Sequence, residues 1–160
     1  MNNQIEAIYK FLRLSDSVGT AGQPNASQFT AIKDAGYRIV VNLAVPDSSQ
    51  AVANERELVA AQGLEYVHIP VLWDNPQVED ALRFFATMQA NTGKKIFVHC
   101  IANMRVSAFM YLYRVTYEKM SEEEATRDLH ALWVPNEIWQ KFINDVLQRY
   151  QRVCQHFHRH

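Results

Sequence analysis

Cysteine is scarce in this chain: two among 160 residues, Cys100 and Cys154. A disulfide framework is therefore excluded, although a pairing of these two has nothing in the spacing for or against it. No apolar run approaches the length of a membrane span. There is no long basic run either, and formal charge is nearly balanced at −1. Nucleic acid and membrane surfaces are not expected partners. The start, Met1-Asn2-Asn3-Gln4-Ile5-Glu6, lacks a charged stretch followed by a long apolar one, so it does not read as a secretory signal. A cytoplasmic location is expected, with the mature form of an exported protein left open. Gly-rich nucleotide loops, zinc-ligand spacings and Gly-x-Ser-x-Gly elbows are missing as well. The tail from Cys154 to His160 carries His156, His158 and His160, but sequential ligands without a distant partner motif do not make a zinc site. No metal and no cofactor are expected.

What is present is a globular composition, 48% hydrophobic, enough for a real core in a single domain spanning residues 1–160. Ile5, Ile8, Tyr9 and Leu12 repeat at helical spacing. Ser17 to Gln23 is punctuated by Gly19 and Gly22, and Pro24 closes it. Asn25 or Ser27 then caps a helix that Gly36 ends near Ala35. Three β-branched runs read as strands: Tyr37 to Leu43, Leu64 to Ile69 and Lys95 to His99. Between them lie a turn at Pro46-Asp47-Ser48-Ser49, a helix over Val52 to Gln62, and a second helix that Asn75-Pro76 caps and starts. The second helix is expected to send Leu82, Phe85 and Met88 to the core, with Glu79 and Asp80 on a solvated face. Helices follow from about Arg105 to Glu118, from a capping box at Ser121-Glu122-Glu123-Glu124, and from Pro135 to Val153. Strands alternating with helices predict an α/β fold, a mainly parallel central sheet flanked by helices.

The chemistry concentrates in Ile96-Phe97-Val98-His99-Cys100-Ile101-Ala102-Asn103-Met104-Arg105-Val106-Ser107. A strand ends in His-Cys, a short loop follows, and an Arg opens a helix. Helix starts and exposed loop amides attract anions, and the same field favours thiolate over thiol. Arg offers a planar fork that gives a phosphate two parallel hydrogen bonds. The plainer readings are a small buried Cys and an Arg105 ion-paired with Glu55 or Glu57. Asp74, in His68-Ile69-Pro70-Val71-Leu72-Trp73-Asp74, lies one helix and one strand ahead of Cys100. It is either a general acid on a loop or part of the cap region of the next helix. Met104, Phe109, Met110, Leu112 and Tyr113 are expected in the core, as are Trp73 and Trp133 unless they form a pocket rim.

This stretch resembles the His-Cys-(five residues)-Arg-Ser/Thr signature of cysteine-dependent tyrosine and dual-specificity phosphatases. Gly19-Thr20-Ala21-Gly22-Gln23-Pro24, with the strand ending Val41-Asn42-Leu43, is similar to a small bacterial branch that also occurs beside β-lactamase-like hydrolase domains. The resemblance implies Cys100 as nucleophile and Arg105 as phosphate clamp, with Asp74 as acid. Ile101, Ala102, Asn103, Met104, Arg105 and Val106 would form the phosphate cradle. His99 would steady the loop, and Ser107 would support the thiolate. The substrate would be a phosphorylated protein or small molecule, with a homo-oligomer left open. Only Ile101 to Met104 separate Cys100 from Arg105, where the signature has five residues, and the loop has no glycine. Asn103 is the residue able to take a left-handed conformation there. The short loop keeps two further readings open: a rhodanese-like sulfurtransferase carrying a persulfide on Cys100, and a catalytically impaired phosphate-binding module.

Overall fold

The computed structural model describes residues 2–158 apart from residue 49, with side chains described between residues 4 and 151. The side chains of the histidine-rich tail and the last residue of the Pro46 turn lie outside these. A 3₁₀ turn at Asn2–Ala7 opens the chain and is followed by β1 (Leu12–Arg13) and β2 (Val18–Ala21). Then come α1 (Phe29–Asp34), β3 (Ile39–Asn42), α2 (Glu55–Ala61), β4 (Glu65–His68), α3 (Val78–Ala90) and β5 (Ile96–His99). Three helices finish the chain: α4 (Met104–Thr116), α5 (Glu122–His130) and α6 (Glu137–His158). The strands lie in the order β1-β2-β5-β3-β4. All neighbours are parallel except β1, which runs antiparallel to β2 along the edge.

The sheet separates two cores because side chains alternate faces along a strand. Ile96 and Val98 of β5 join the larger cluster, built with Phe84 and Phe85 of α3, Phe109 of α4, and Trp139 and Phe142 of α6. Phe97 points the other way, toward Ile5, Phe29, Ile32 and Val59. β3 and β5 are buried along their whole length, as expected for strands covered on both faces. The same alternation places His99 on the side of α2.

Several expectations needed correction. The helical spacing of Ile5, Ile8, Tyr9 and Leu12 gives only the 3₁₀ turn at Asn2–Ala7, with Tyr9 exposed and Leu12 in β1, and Met104 is half-buried rather than in the core. The Gly-punctuated segment Ser17 to Gln23 contains strand β2, paired with β5 from Val18↔Ile96 to Ala21↔His99. Gly19 fits there because a Cβ would collide with the Tyr37 ring. Helix α3 starts at Val78 with Gln77 as its N-cap, not at Pro76. The Asn75 side-chain oxygen takes the Gln77 amide at 2.9 Å instead of a helix N–H. The buried stripe of α3 runs through Ala81, Phe84, Phe85 and Met88, which leaves Leu82 exposed. Asp80 is buried and pairs with Arg83 at 2.9 Å rather than facing water. By contrast, Asn25 makes the expected cap, within a reciprocal capping box with Gln28.

Candidate active site

β5 ends at the carboxyl edge of the sheet, and Cys100 follows as the first residue of the loop into α4. Cys100 is 1% exposed and belongs to the larger core cluster. The Cys100 N–H donates to Ala21 O at 3.3 Å, and Leu43 N–H to His99 O at 2.9 Å, which fixes the strand end between its neighbours.

Two carbonyls on the back of the loop are tied down. His99 Nδ1 lies 3.1 Å from Cys100 O, and Gln23 N–H donates to Ile101 O at 3.0 Å. In a planar trans peptide, C=O and N–H point in opposite directions. Anchoring these carbonyls therefore turns the Ile101 and Ala102 amides to the opposite face of the loop. Gly22 permits the close approach, since a Cβ there would strike the Ile101 carbonyl.

Asn103 holds the turn with φ +63° immediately before α4. Its Nδ2 donates to Lys10 O at 2.9 Å and to Thr20 Oγ1 at 3.0 Å, and the residue is fully buried. One asparagine thus supplies both the left-handed backbone of a glycine and a pin to two distant segments. Asn103→Ala is expected to cost roughly 3 kcal/mol, from left-handed strain plus two lost hydrogen bonds. Asn103→Gly relieves the strain and should cost about half of that. Urea denaturation of both variants checks the ranking, and equal losses would remove the backbone role.

Below the loop lies a buried group that the sequence reading missed. Glu55, the first residue of α2, is 4% exposed. Its Oε2 sits 2.6 Å from His99 Nε2, and its Oε1 accepts Gln23 Nε2 at 2.9 Å. Burial alone would raise the Glu55 carboxyl, but the His99 hydrogen bond and charge and the Gln23 amide outweigh it. The net position is below the ordinary carboxylate range. Neighbouring Tyr66 moves the other way, pushed up to about 12, chiefly by burial. The sequence alone offers Glu55 only as an ion partner for Arg105. No local pattern links positions 55 and 99, and only the strand alternation that turns His99 toward α2 would have suggested the pair.

Arg105 is 7% exposed and turned inward, with Nη1 donating to Val71 O at 2.8 Å. This bond brings the 71–75 loop to the start of α4. Asp74 lies three residues past the tied carbonyl, exposed in a turn, and the same loop is held by Trp139 Nε1 donating to Trp73 O at 2.8 Å. Trp73 stands at the rim, 41% exposed, with its ring centroid 5.3 Å from that of Trp133. Ser107 does not turn its hydroxyl to the thiol. It donates to Met104 O at 2.7 Å and accepts from Trp133 Nε1 at 2.9 Å, so its proton is committed to the first turn of α4. An open cleft of about 580 Å³ adjoins the loop, lined by Tyr9, Gln23, Gln50, Val52, Ile101 and Ala102 among others. Among the described residues no cluster could hold a metal ion, and no helix is long and apolar enough to cross a membrane.

A thiol at the end of a parallel strand, an amide-lined loop and an inward Arg at a helix start place the molecule among the phosphatase-like α/β folds. The family described as "DSP-PTPase phosphatase fused to NAD+ Kinase" matches residues 14–141, and the chain belongs to it. A crystal structure from Shewanella putrefaciens CN-32, named "Putative phosphatase (DUF442)", is 34% identical. It covers 94% of this chain and 99% of its own, at a TM-score of 0.84. A β-lactamase hydrolase-like protein of Xylella fastidiosa is 29% identical over 126 residues, which are 76% of this chain. The match spans 29% of that relative's length. A kinase associated phosphatase, solved with its catalytic site cysteine replaced by serine, shares the fold at 13% identity. It covers 91% of this chain and 98% of its own, at a TM-score of 0.78. The family match is to phosphatases and lends no support to the sulfur-transfer expectation.

Proposed function

We propose that the chain is a single-domain, cysteine-dependent phosphatase that hydrolyses phosphomonoesters through a phospho-cysteine intermediate. The observation carrying this reading is the short loop between Cys100 and the inward-turned Arg105, whose Cys100 and Ile101 carbonyls are both tied down on one side. The Cys100 thiolate attacks phosphorus, an S–P bond forms and the P–O ester bond breaks. The departing oxygen takes a proton from Asp74. Water then attacks the phospho-cysteine and gives a proton back to Asp74, which releases inorganic phosphate and the thiolate. The loop amides and Arg105 hold the equatorial oxygens throughout, where fixed dipoles lower the barrier most.

The test is turnover of an artificial aryl phosphate, with acid quenching and mass spectrometry to find the phosphoryl group on Cys100. Oxyanion binding without turnover on any phosphate ester would leave the impaired binding module as the reading. Asp74→Asn should lower kcat by roughly 100-fold on an alkyl phosphate, whose alkoxide needs a proton. The loss should shrink toward unity as the leaving group becomes more acidic. A loss independent of the leaving group would remove Asp74 from the acid role.

A further inference from the structure

Both nitrogens of the buried His99 ring face oxygen: the Cys100 carbonyl at 3.1 Å and Glu55 Oε2 at 2.6 Å. A carbonyl oxygen can only accept, and so can a carboxylate. A neutral imidazole donates from one nitrogen alone, so it could satisfy only one of these contacts. Gln23 Nε2 fixes the far oxygen of the same carboxylate at 2.9 Å, which sets its plane toward the ring. His99 is fully buried and Glu55 nearly so, so the pair is poorly screened by water.

We infer that Glu55 is a positioning residue for the nucleophile: it holds His99 as a two-fold donor, and His99 in turn locks the Cys100–Ile101 peptide. Two consequences follow at the sulfur. The locked peptide aims the Ile101 amide at the bound anion. Displacing that amide would also change the main-chain donors around the sulfur, which bear on how readily the thiol alkylates. An ordinary buried ion pair would stabilise the fold without either effect, and the two roles are separable by experiment. The kinetic part of the test rests on the phosphatase reading; the spectroscopic and alkylation parts do not.

In ¹⁵N spectra of the wild-type protein, both His99 ring nitrogens should resonate as protonated at neutral pH. Glu55→Gln keeps the shape and an acceptor oxygen but removes the charge. In that variant one ring nitrogen should lose its proton, and iodoacetamide should alkylate Cys100 about tenfold more slowly. The kcat on an aryl phosphate should fall by about 100-fold with KM little changed, the size expected for one misaligned oxyanion donor. Glu55→Asp, which restores charge at shorter reach, should recover part of that loss. If Glu55→Gln does not fold, Gln23→Leu frees the carboxylate and should shift all three readouts the same way by a smaller amount. A bare ring nitrogen in the wild-type protein would overturn the assignment. So would a folded Glu55→Gln variant that alkylates and turns over as the wild type does. If the protein hydrolyses no phosphate ester, the spectra and the alkylation rate decide the matter without it.

Discussion

Cys100→Ser is expected to lower aryl phosphate turnover by roughly four to six orders of magnitude, the loss seen when a covalent nucleophile is removed. Serine is a close replacement in volume, and the site is 1% exposed, so packing changes little. The chemistry changes because a seryl hydroxyl stays protonated at neutral pH, and neither His99 nor Ser107 is free to take its proton. Both His99 nitrogens are engaged with Glu55 and the Cys100 carbonyl, and the Ser107 oxygen is held between Met104 and Trp133. Stability should fall by about 1–3 kcal/mol, the cost of burying a hydroxyl among apolar side chains, as read by urea denaturation. Phosphate binding should survive, since the amides and Arg105 are untouched. Turnover persisting in the serine variant would remove the nucleophile assignment.

Arg105→Ala carries the second largest expected effect. The guanidinium lies inside the fold with one nitrogen on the Val71 carbonyl, and in the proposed reaction its remaining donors would hold the transferring phosphoryl oxygens. Losing a charge that acts at the transition state costs about 10³- to 10⁵-fold in kcat. The buried Val71 carbonyl would also lose its partner, worth about 1–3 kcal/mol of stability. Arg105→Lys separates charge from geometry. Lysine keeps the cation but has no planar fork to bridge a carbonyl and a phosphate, so it should recover only a small fraction of the activity. Steady-state kinetics on both variants, with melting curves alongside, checks this. A lysine variant near wild-type kcat would show that charge alone suffices.

What could be read from the chain followed from local chemistry. β3, β4 and β5 announce themselves through β-branched runs, and Asn25 through its cap position. The left-handed turn at Asn103 was legible because a glycine-free loop leaves asparagine as the residue able to adopt it. What could not be read depended on distant neighbours. β2 contains a glycine, so it resembles a turn until Tyr37 is seen packing over it. Asp80 sits where a first-turn carboxylate usually meets water, and only the tertiary packing of α3 buries it. Ser107 satisfies the motif spacing, yet Trp133 from the segment after α5 claims its oxygen. Glu55 was missed for the same reason, because its partners lie in two other segments of the chain.

The pin at Asn103 ties the loop to more than the sheet. Its amide holds the Lys10 carbonyl, and Gly22 N–H holds the Tyr9 carbonyl at 2.7 Å. Residues 9 and 10 are thereby fastened to the loop that follows Cys100 and to the strand end beside it. Loosening either of these two bonds would free the segment around Gly22 and Asn103 from one of its anchors.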